Sequence, residues 1–120
     1  MKHELSQSFY FESAHTLQRQ VDAVPSRRVH GHTYIAEVTL RGEPDPGNGM
    51  LIDLGLLRRA IEAVREDLDH HLLNDVEGLG PPTLENLCSY LWKRFAPQFA
   101  SLARVTVRRD ASGDRCTLGI

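Results

Sequence analysis

His30-Gly31-His32-Thr33-Tyr34-Ile35-Ala36-Glu37-Val38-Thr39-Leu40-Arg41 is the stretch from which the fold is read. Over residues 32–41 the side chains alternate, with Tyr34, Ala36, Val38 and Leu40 on one face and Thr33, Ile35, Glu37 and Thr39 on the other. A period of two marks a β-strand with one face in a core. Ile35 makes the second face less polar than a solvent face should be, so the strand is expected to be covered on both sides, by helices and by a partner subunit. At its start His30 and His32 stand at i and i+2, which on a strand aims both imidazoles the same way. His15, in Phe11-Glu12-Ser13-Ala14-His15, can join them if the two segments pair as a hairpin. Three histidine ligands leave one tetrahedral position open, which suits a catalytic zinc better than a structural one. The alternative is a set of unrelated surface or core histidines, because an HxH pair by itself is a weak metal signal.

Working outward, residues 2–12 also alternate, with Leu5, Phe9 and Phe11 opposed to Ser6, Ser8 and Tyr10. This predicts a second strand before the first. Residues 18–28 lose the period and contain Pro25, so they read as a long loop. Downstream, residues 42–49 are dense in turn formers. Asp53 is a plausible N-cap for a helix whose buried stripe is Leu54, Leu57, Ile61, Val64 and Leu68, ending near Asp69-His70-His71. A second breaker cluster at 78–82 precedes Thr83, the next N-cap, with Glu85 in the first turn where the helix dipole favours it. Leu84, Leu87, Cys88, Leu91, Trp92 and Phe95 form that helix's stripe, and Pro97 stops it. Strands follow at 102–109 and 115–120, with a turn at Gly113. The order is two strands, two helices, two strands. It predicts a single α+β domain over 1–120, an antiparallel four-stranded sheet with helices on one face.

Composition narrows the classes. A chain of 120 residues makes one domain, not comfortably two. The net charge is −2 with no basic stripe interleaved with aromatics, so nucleic acid is not an expected partner. No apolar run is long enough for a bilayer span, and Met1-Lys2-His3-Glu4 leads into an alternating segment, not into a signal peptide's apolar stretch. A cytoplasmic location is the expectation. Cys88 falls in a helical apolar pattern and reads as a small core residue; a disulfide with Cys116 is not expected in a reducing compartment. Asp69-His70 places a carboxylate beside an imidazole, the arrangement that fixes a tautomer and raises basicity. A polar helix C-terminus would also welcome those residues.

Five motifs in order carry a family resemblance: Phe11-Glu12-Ser13-Ala14-His15, His30-Gly31-His32-Thr33-Tyr34, Gly49-Met50-Leu51-Ile52-Asp53-Leu54, Leu68-Asp69-His70-His71-Leu72-Leu73-Asn74 and Pro82-Thr83-Leu84-Glu85-Asn86. Over nearly its whole length the chain resembles the 6-pyruvoyltetrahydropterin and 6-carboxytetrahydropterin synthases. The resemblance implies a tunnelling fold, in which subunits join their sheets into a barrel, commonly a homohexamer of two stacked trimers, with active sites at subunit interfaces. It implies Zn2+ held by His15, His30 and His32, polarising the side-chain hydroxyls of 7,8-dihydroneopterin triphosphate. Asp69 and His70 would assist proton transfer, and Thr83, Glu85 and Arg109 fall at substrate-binding positions. Bacterial members make 6-carboxytetrahydropterin on the route to queuosine, losing acetaldehyde and triphosphate. Animal members lose triphosphate and make 6-pyruvoyltetrahydropterin.

The sequence departs from this pattern at two positions. Ser26 stands where the family carries its proton-abstracting cysteine, and a hydroxyl is far less acidic than a thiol. Arg109 stands where a glutamate accepts hydrogen bonds from the pterin amino group and ring N–H; a guanidinium has donors only. Asp110 is one residue late, and that step turns a strand side chain to the other face unless a bulge intervenes. Three functions follow as expectations: the pterin lyase itself, a zinc enzyme of the same fold acting on a different heterocycle that presents carbonyl or carboxylate acceptors, and a non-catalytic zinc- or ligand-binding module.

Overall fold

The alternation around Tyr34 does form a strand, longer than its hydropathy indicates. The computed structural model describes residues 1–120. In it β1 spans His3–His15 and β2 spans His30–Gly42. They pair antiparallel with Phe9 opposite Ala36, Phe11 opposite Tyr34, Ser13 opposite His32 and His15 opposite His30. β3 (Leu102–Arg109) and β4 (Asp114–Gly119) complete a sheet of order β1-β2-β3-β4. The register is continuous except for a shift at Thr39/Leu40.

A short helix α1 (Ala23–Arg27) lies in the segment expected to be a plain loop. Pro25 falls in its first turn, where a missing N–H costs nothing, so the residue that signals a loop is also compatible with a helix start. Helices α2 (Leu54–Leu68) and α3 (Leu84–Phe95) follow β2, as expected, with a single 3-10 turn at Leu73–Asp75 between them. Asp53 caps α2 by accepting from Gly55 N at 2.8 Å, and Thr83 caps α3 by accepting from Asn86 N at 3.1 Å. Such caps contribute about 1 kcal/mol each. α2 buries Leu57, Ala60, Ile61, Val64 and Leu68; α3 buries Leu87, Cys88, Tyr90, Leu91 and Phe95. Leu54, Leu84 and Trp92, expected in the stripes, are only partly buried at the margin of the core, and Tyr90 takes a buried place. Both cysteines are free.

Both helices cover one face of the sheet. Phe11 and Tyr34 stack beneath them, ring centroids 5.0 Å apart and nearly parallel. Towards the end where residues 16–29 connect β1 to β2, the same face turns polar: Phe11 gives way to Ser13 and His15, Tyr34 to His32 and His30, Val107 to Arg109, and Cys116 to Asp114. The sheet thus carries a core at one end and a polar cluster at the other. The opposite face is laced by polar pairs, Ser6 with Thr39 at 2.8 Å and Thr106 with Thr117 at 3.0 Å. Tyr10, which lies beside Ile35, is 57% exposed, with only the Arg65 guanidinium over its ring at 5.0 Å. No helix is long and apolar enough to cross a membrane.

Candidate metal centre

The hairpin register brings the three histidines together. His15 and His30 face each other at the end of the β1–β2 ladder, and His32 follows on the same face. His15 Nε2 lies 2.9 Å from His30 Nε2 and 3.0 Å from His32 Nε2, and all three rings meet edge to face. Nitrogens on a tetrahedral zinc with bonds of about 2.0–2.1 Å lie roughly 3.3 Å apart, so the cluster would admit the ion with small ring movements. The outer nitrogens complete the test. His15 Nδ1 is 3.2 Å from the Pro82 carbonyl oxygen, and His30 Nδ1 is 2.7 Å from that of Arg28. A carbonyl only accepts, so Nδ1 carries the proton and Nε2 presents a lone pair to the centre, the arrangement of a metal-ligating histidine. The donor set of three neutral imidazoles fits zinc.

Burial keeps His15 and His32 neutral. It pushes His15 down to about 4, against the opposing effect of the Pro82 carbonyl, and it lowers His32, where the Arg109 charge acts in the same direction. Tyr34, whose Oη lies 3.2 Å from His15 Nδ1, is pushed up to about 12 by burial and stays a neutral hydroxyl. A stability consequence follows for the metal-free protein. The unfolded chain protonates His15 near 6.5, whereas the folded chain resists until about 4. Stability is therefore full above the first value and lost as pH falls through that window. Thermal midpoints of metal-free protein should fall between pH 7 and pH 4, and His15→Ala should flatten the slope. An equal slope in the variant would remove His15 as its source.

The histidines open on a cavity of about 370 Å³ whose wall includes Arg19, Ser26, Arg109, Ser112 and Asp114. Ser26 is buried in α1; its hydroxyl donates to the Ala23 carbonyl at 2.8 Å and accepts from Arg19 N at 3.3 Å. Its neighbours thus fold the loop against the cavity, and no imidazole is bonded to it. Arg109 reaches the centre itself, Nη1 lying 3.4 Å from His32 Nε2, and pairs with Asp114 at 2.9 Å. Asp110 pairs with Arg108 at 2.9 Å, away from the cavity, and the β3–β4 register runs unbroken to Arg109 opposite Asp114, with no bulge to bring Asp110 round.

Asp69 and His70 form a tight pair in a different place. The Asp69 carboxylate accepts from Glu12 N at 2.9 Å, lies 2.9 Å from His70 Nδ1 and 3.3 Å from Arg65. The Glu12 amide, then His70, hold its carboxyl below the usual range. His70 adopts φ 57 as the chain leaves α2, its N–H bonded to the Glu12 carbonyl, and its side chain is exposed. It lines a second cavity of about 540 Å³, which shares only His32 with the first. Thr83 borders a third cavity, beside Thr16, Asn74 and Pro82, and Glu85 sits in the first turn of α3 outside the histidine cavity. One chain therefore unites His15, His30, His32, Ser26 and Arg109, and leaves Asp69, His70, Thr83 and Glu85 apart from them.

Three contributors were not singled out from the sequence. Tyr34 could have been, since it shares the face of His32 two residues on. Asp114 becomes relevant only through its register with Arg109, and the Pro82 carbonyl leaves no mark in side-chain chemistry.

The family model described as 6-pyruvoyl tetrahydropterin synthase matches residues 4–118. The chain is 45% identical over 67 residues to the 6-pyruvoyl tetrahydrobiopterin synthase of Drosophila melanogaster, covering 52% of this chain and 40% of that protein. It is 34% identical over 74 residues to the 6-carboxy-5,6,7,8-tetrahydropterin synthase of Bacillus subtilis, covering 62% of this chain and 48% of that one. It thus spans about half the length of these curated relatives. The solved structure of Caenorhabditis elegans 6-pyruvoyl tetrahydropterin synthase superposes with a TM-score of 0.85 at 26% identity, over 100% of this chain and 96% of that one.

Proposed function

The chain belongs to the 6-pyruvoyl tetrahydropterin synthase family, and from that premise we propose that it is a zinc-dependent lyase acting on 7,8-dihydroneopterin triphosphate or a related heterocycle. The observation that carries this reading is the convergence of the Nε2 atoms of His15, His30 and His32, with backbone carbonyls holding the outer nitrogens of His15 and His30. When bound, the ion supplies a Lewis acid that polarises a substrate hydroxyl.

The chain's own groups do the rest. The Pro82 and Arg28 carbonyls orient the ligand rings, and the Phe11–Tyr34 stack closes the floor beneath His15. Asp69 steadies His70 for proton transfer. Because that pair opens on a separate cavity and His70 is exposed, the proposal includes a homohexamer in which Asp69 and His70 of one protomer complete the histidine cavity of a neighbour. The same assembly would cover Tyr10 and Ile35 and pair the open strand edges. Thr83 and Glu85 reach substrate from such a neighbour. Ser26 is assigned a wall position, with its hydroxyl already engaged by Ala23.

Zinc-loaded protein incubated with 7,8-dihydroneopterin triphosphate should release triphosphate and yield a new pterin. Binding without turnover would replace the lyase reading with a ligand-binding module. Neither binding nor turnover, with zinc in place, would move the activity to a different heterocycle.

A further inference from the structure

Arg109 does more than replace an acceptor with a donor. It lies at the end of β3 on the helix-covered face, with its side chain 17% exposed. Nη2 donates to Asp114 Oδ2 at 2.9 Å, and Ser112 Oγ donates to the same oxygen at 2.8 Å, so the guanidinium is held from behind in a fixed orientation. Nη1 is aimed at the histidine centre, 3.4 Å from His32 Nε2, and Nε is buried without any partner. Once the His32 lone pair is committed to a metal, Nη1 also lacks an acceptor. A buried charged donor left unpaired is costly, and the cavity in front of the guanidinium is large enough for a small ligand group.

Charge points the same way. Three neutral imidazoles leave a divalent ion uncompensated, and Arg109 adds a further positive charge beside it. Asp114 is already engaged by Arg109 and Ser112, and Arg19 and Asp22 line the same cavity, so the charged side chains of the wall balance and the charge of the ion itself is left over. An anionic oxygen at the open position would neutralise the ion and accept from the guanidinium together, the charge-assisted fork that arginine makes best.

We propose that this site binds its ligand through an oxyanion, a phosphate or a carboxylate, held jointly by the metal at His15, His30 and His32 and by the Arg109 guanidinium, with Arg109 as the residue that selects for it. The proposal rests on the reading of the three histidines as a metal centre. Asp114 is a positioning residue, acting through Arg109. A ligand edge made only of donors finds no acceptor in the Arg109 guanidinium.

The test uses the whole chain, zinc-loaded, cobalt-substituted and metal-free, titrated with inorganic phosphate and with pyruvate. Calorimetry reads affinity, and the visible absorption of the Co2+ form reports an oxygen entering the coordination sphere. Wild type should bind at least one of the two and shift the Co2+ spectrum. Arg109→Gln should weaken that binding by about ten-fold or more at unchanged metal content. Asp114→Asn should weaken it less, and Arg109→Lys, which keeps the charge if the glutamine variant folds poorly, should retain part of it. A larger Arg109 dependence for phosphate assigns a phosphate ester, and a larger one for pyruvate assigns a carboxylate. Oxyanion affinity within two-fold of wild type in both Arg109 variants, or no binding to wild type, overturns the proposal while metal content stays stoichiometric. Wild type that takes up no metal removes the metal reading, and this proposal with it.

Discussion

His30→Ala is expected to reduce bound zinc from about one ion per chain to near zero while leaving the fold intact. His30 supplies one of the three converging nitrogens, and its ring is set by the Arg28 carbonyl 2.7 Å from Nδ1. Two imidazoles alone hold zinc far more weakly than three. The side chain is half-buried at the first position of β2 and lies outside the core cluster, so its loss creates no large cavity. Metal analysis after dialysis reads the first effect directly. Thermal denaturation reads the second, because an ion that binds only the folded state adds about 4 kcal/mol at a thousand times its dissociation constant. For a domain of this size that is on the order of 15 °C in midpoint. Wild type should show this rise on zinc addition and His30→Ala should not. His32→Ala should behave alike, whereas His15→Ala carries an extra penalty because that ring is 1% exposed. His3, exposed at the far end of β1, supplies the control. Equal zinc in His30→Ala and wild type would sink the ligand assignment.

That a metal centre could be foreseen at all comes from one periodicity. Two-residue alternation fixed β2 and its inward face, and His30 and His32 inherit that face. Their meeting with His15 depends on register, and a one-residue slip would have sent the two sets to opposite sides. Hydropathy does not reveal how far the ladder runs, because beyond Glu12 its inward positions are Ser13 and His15, which read as polar. The strands were therefore underestimated at just the end that builds the site. Caps at Asp53 and Thr83 were legible because a side-chain oxygen before an apolar stripe has a local physical meaning. α1 was hidden by Pro25, since a proline in a first turn and a proline in a loop look the same. The placement of Asp69 and His70 was hidden for another reason. It follows from a left-handed turn at His70, a conformation that histidine adopts uncommonly and that no neighbouring residue announces. Arg109 shows the opposite case: its chemistry was readable from sequence, but its reach to His32 and its brace from Asp114 required the third and fourth strands in register.

Phe11→Ala should be the most damaging single change in the core, costing about 3–5 kcal/mol in the metal-free protein. Phe11 is fully buried, packs face to face on Tyr34 with ring centroids 5.0 Å apart, and touches the ring of Phe9 at 6.3 Å. Its removal leaves a void beneath two helices that are each pinned by a capped N-terminus and cannot easily collapse into it. Against a typical total of about 5–15 kcal/mol, that loss brings the chain close to unfolding. Phe11→Leu keeps part of the volume and should cost roughly 1–2 kcal/mol. Urea denaturation of the metal-free forms at constant m-value separates the two. The effect should extend to the metal centre. Tyr34 is held in place by Phe11 and by its hydroxyl beside His15 Nδ1, so a loosened Tyr34 lets the His15 ring tilt. Zinc should then bind Phe11→Ala less tightly than wild type, even where both are folded, and the midpoint gained on adding zinc should shrink. A Phe11→Ala protein within about 1 kcal/mol of wild type would mean that the stack is not part of the rigid core. A destabilised variant with undiminished zinc affinity would mean that the Pro82 carbonyl alone fixes the His15 ring.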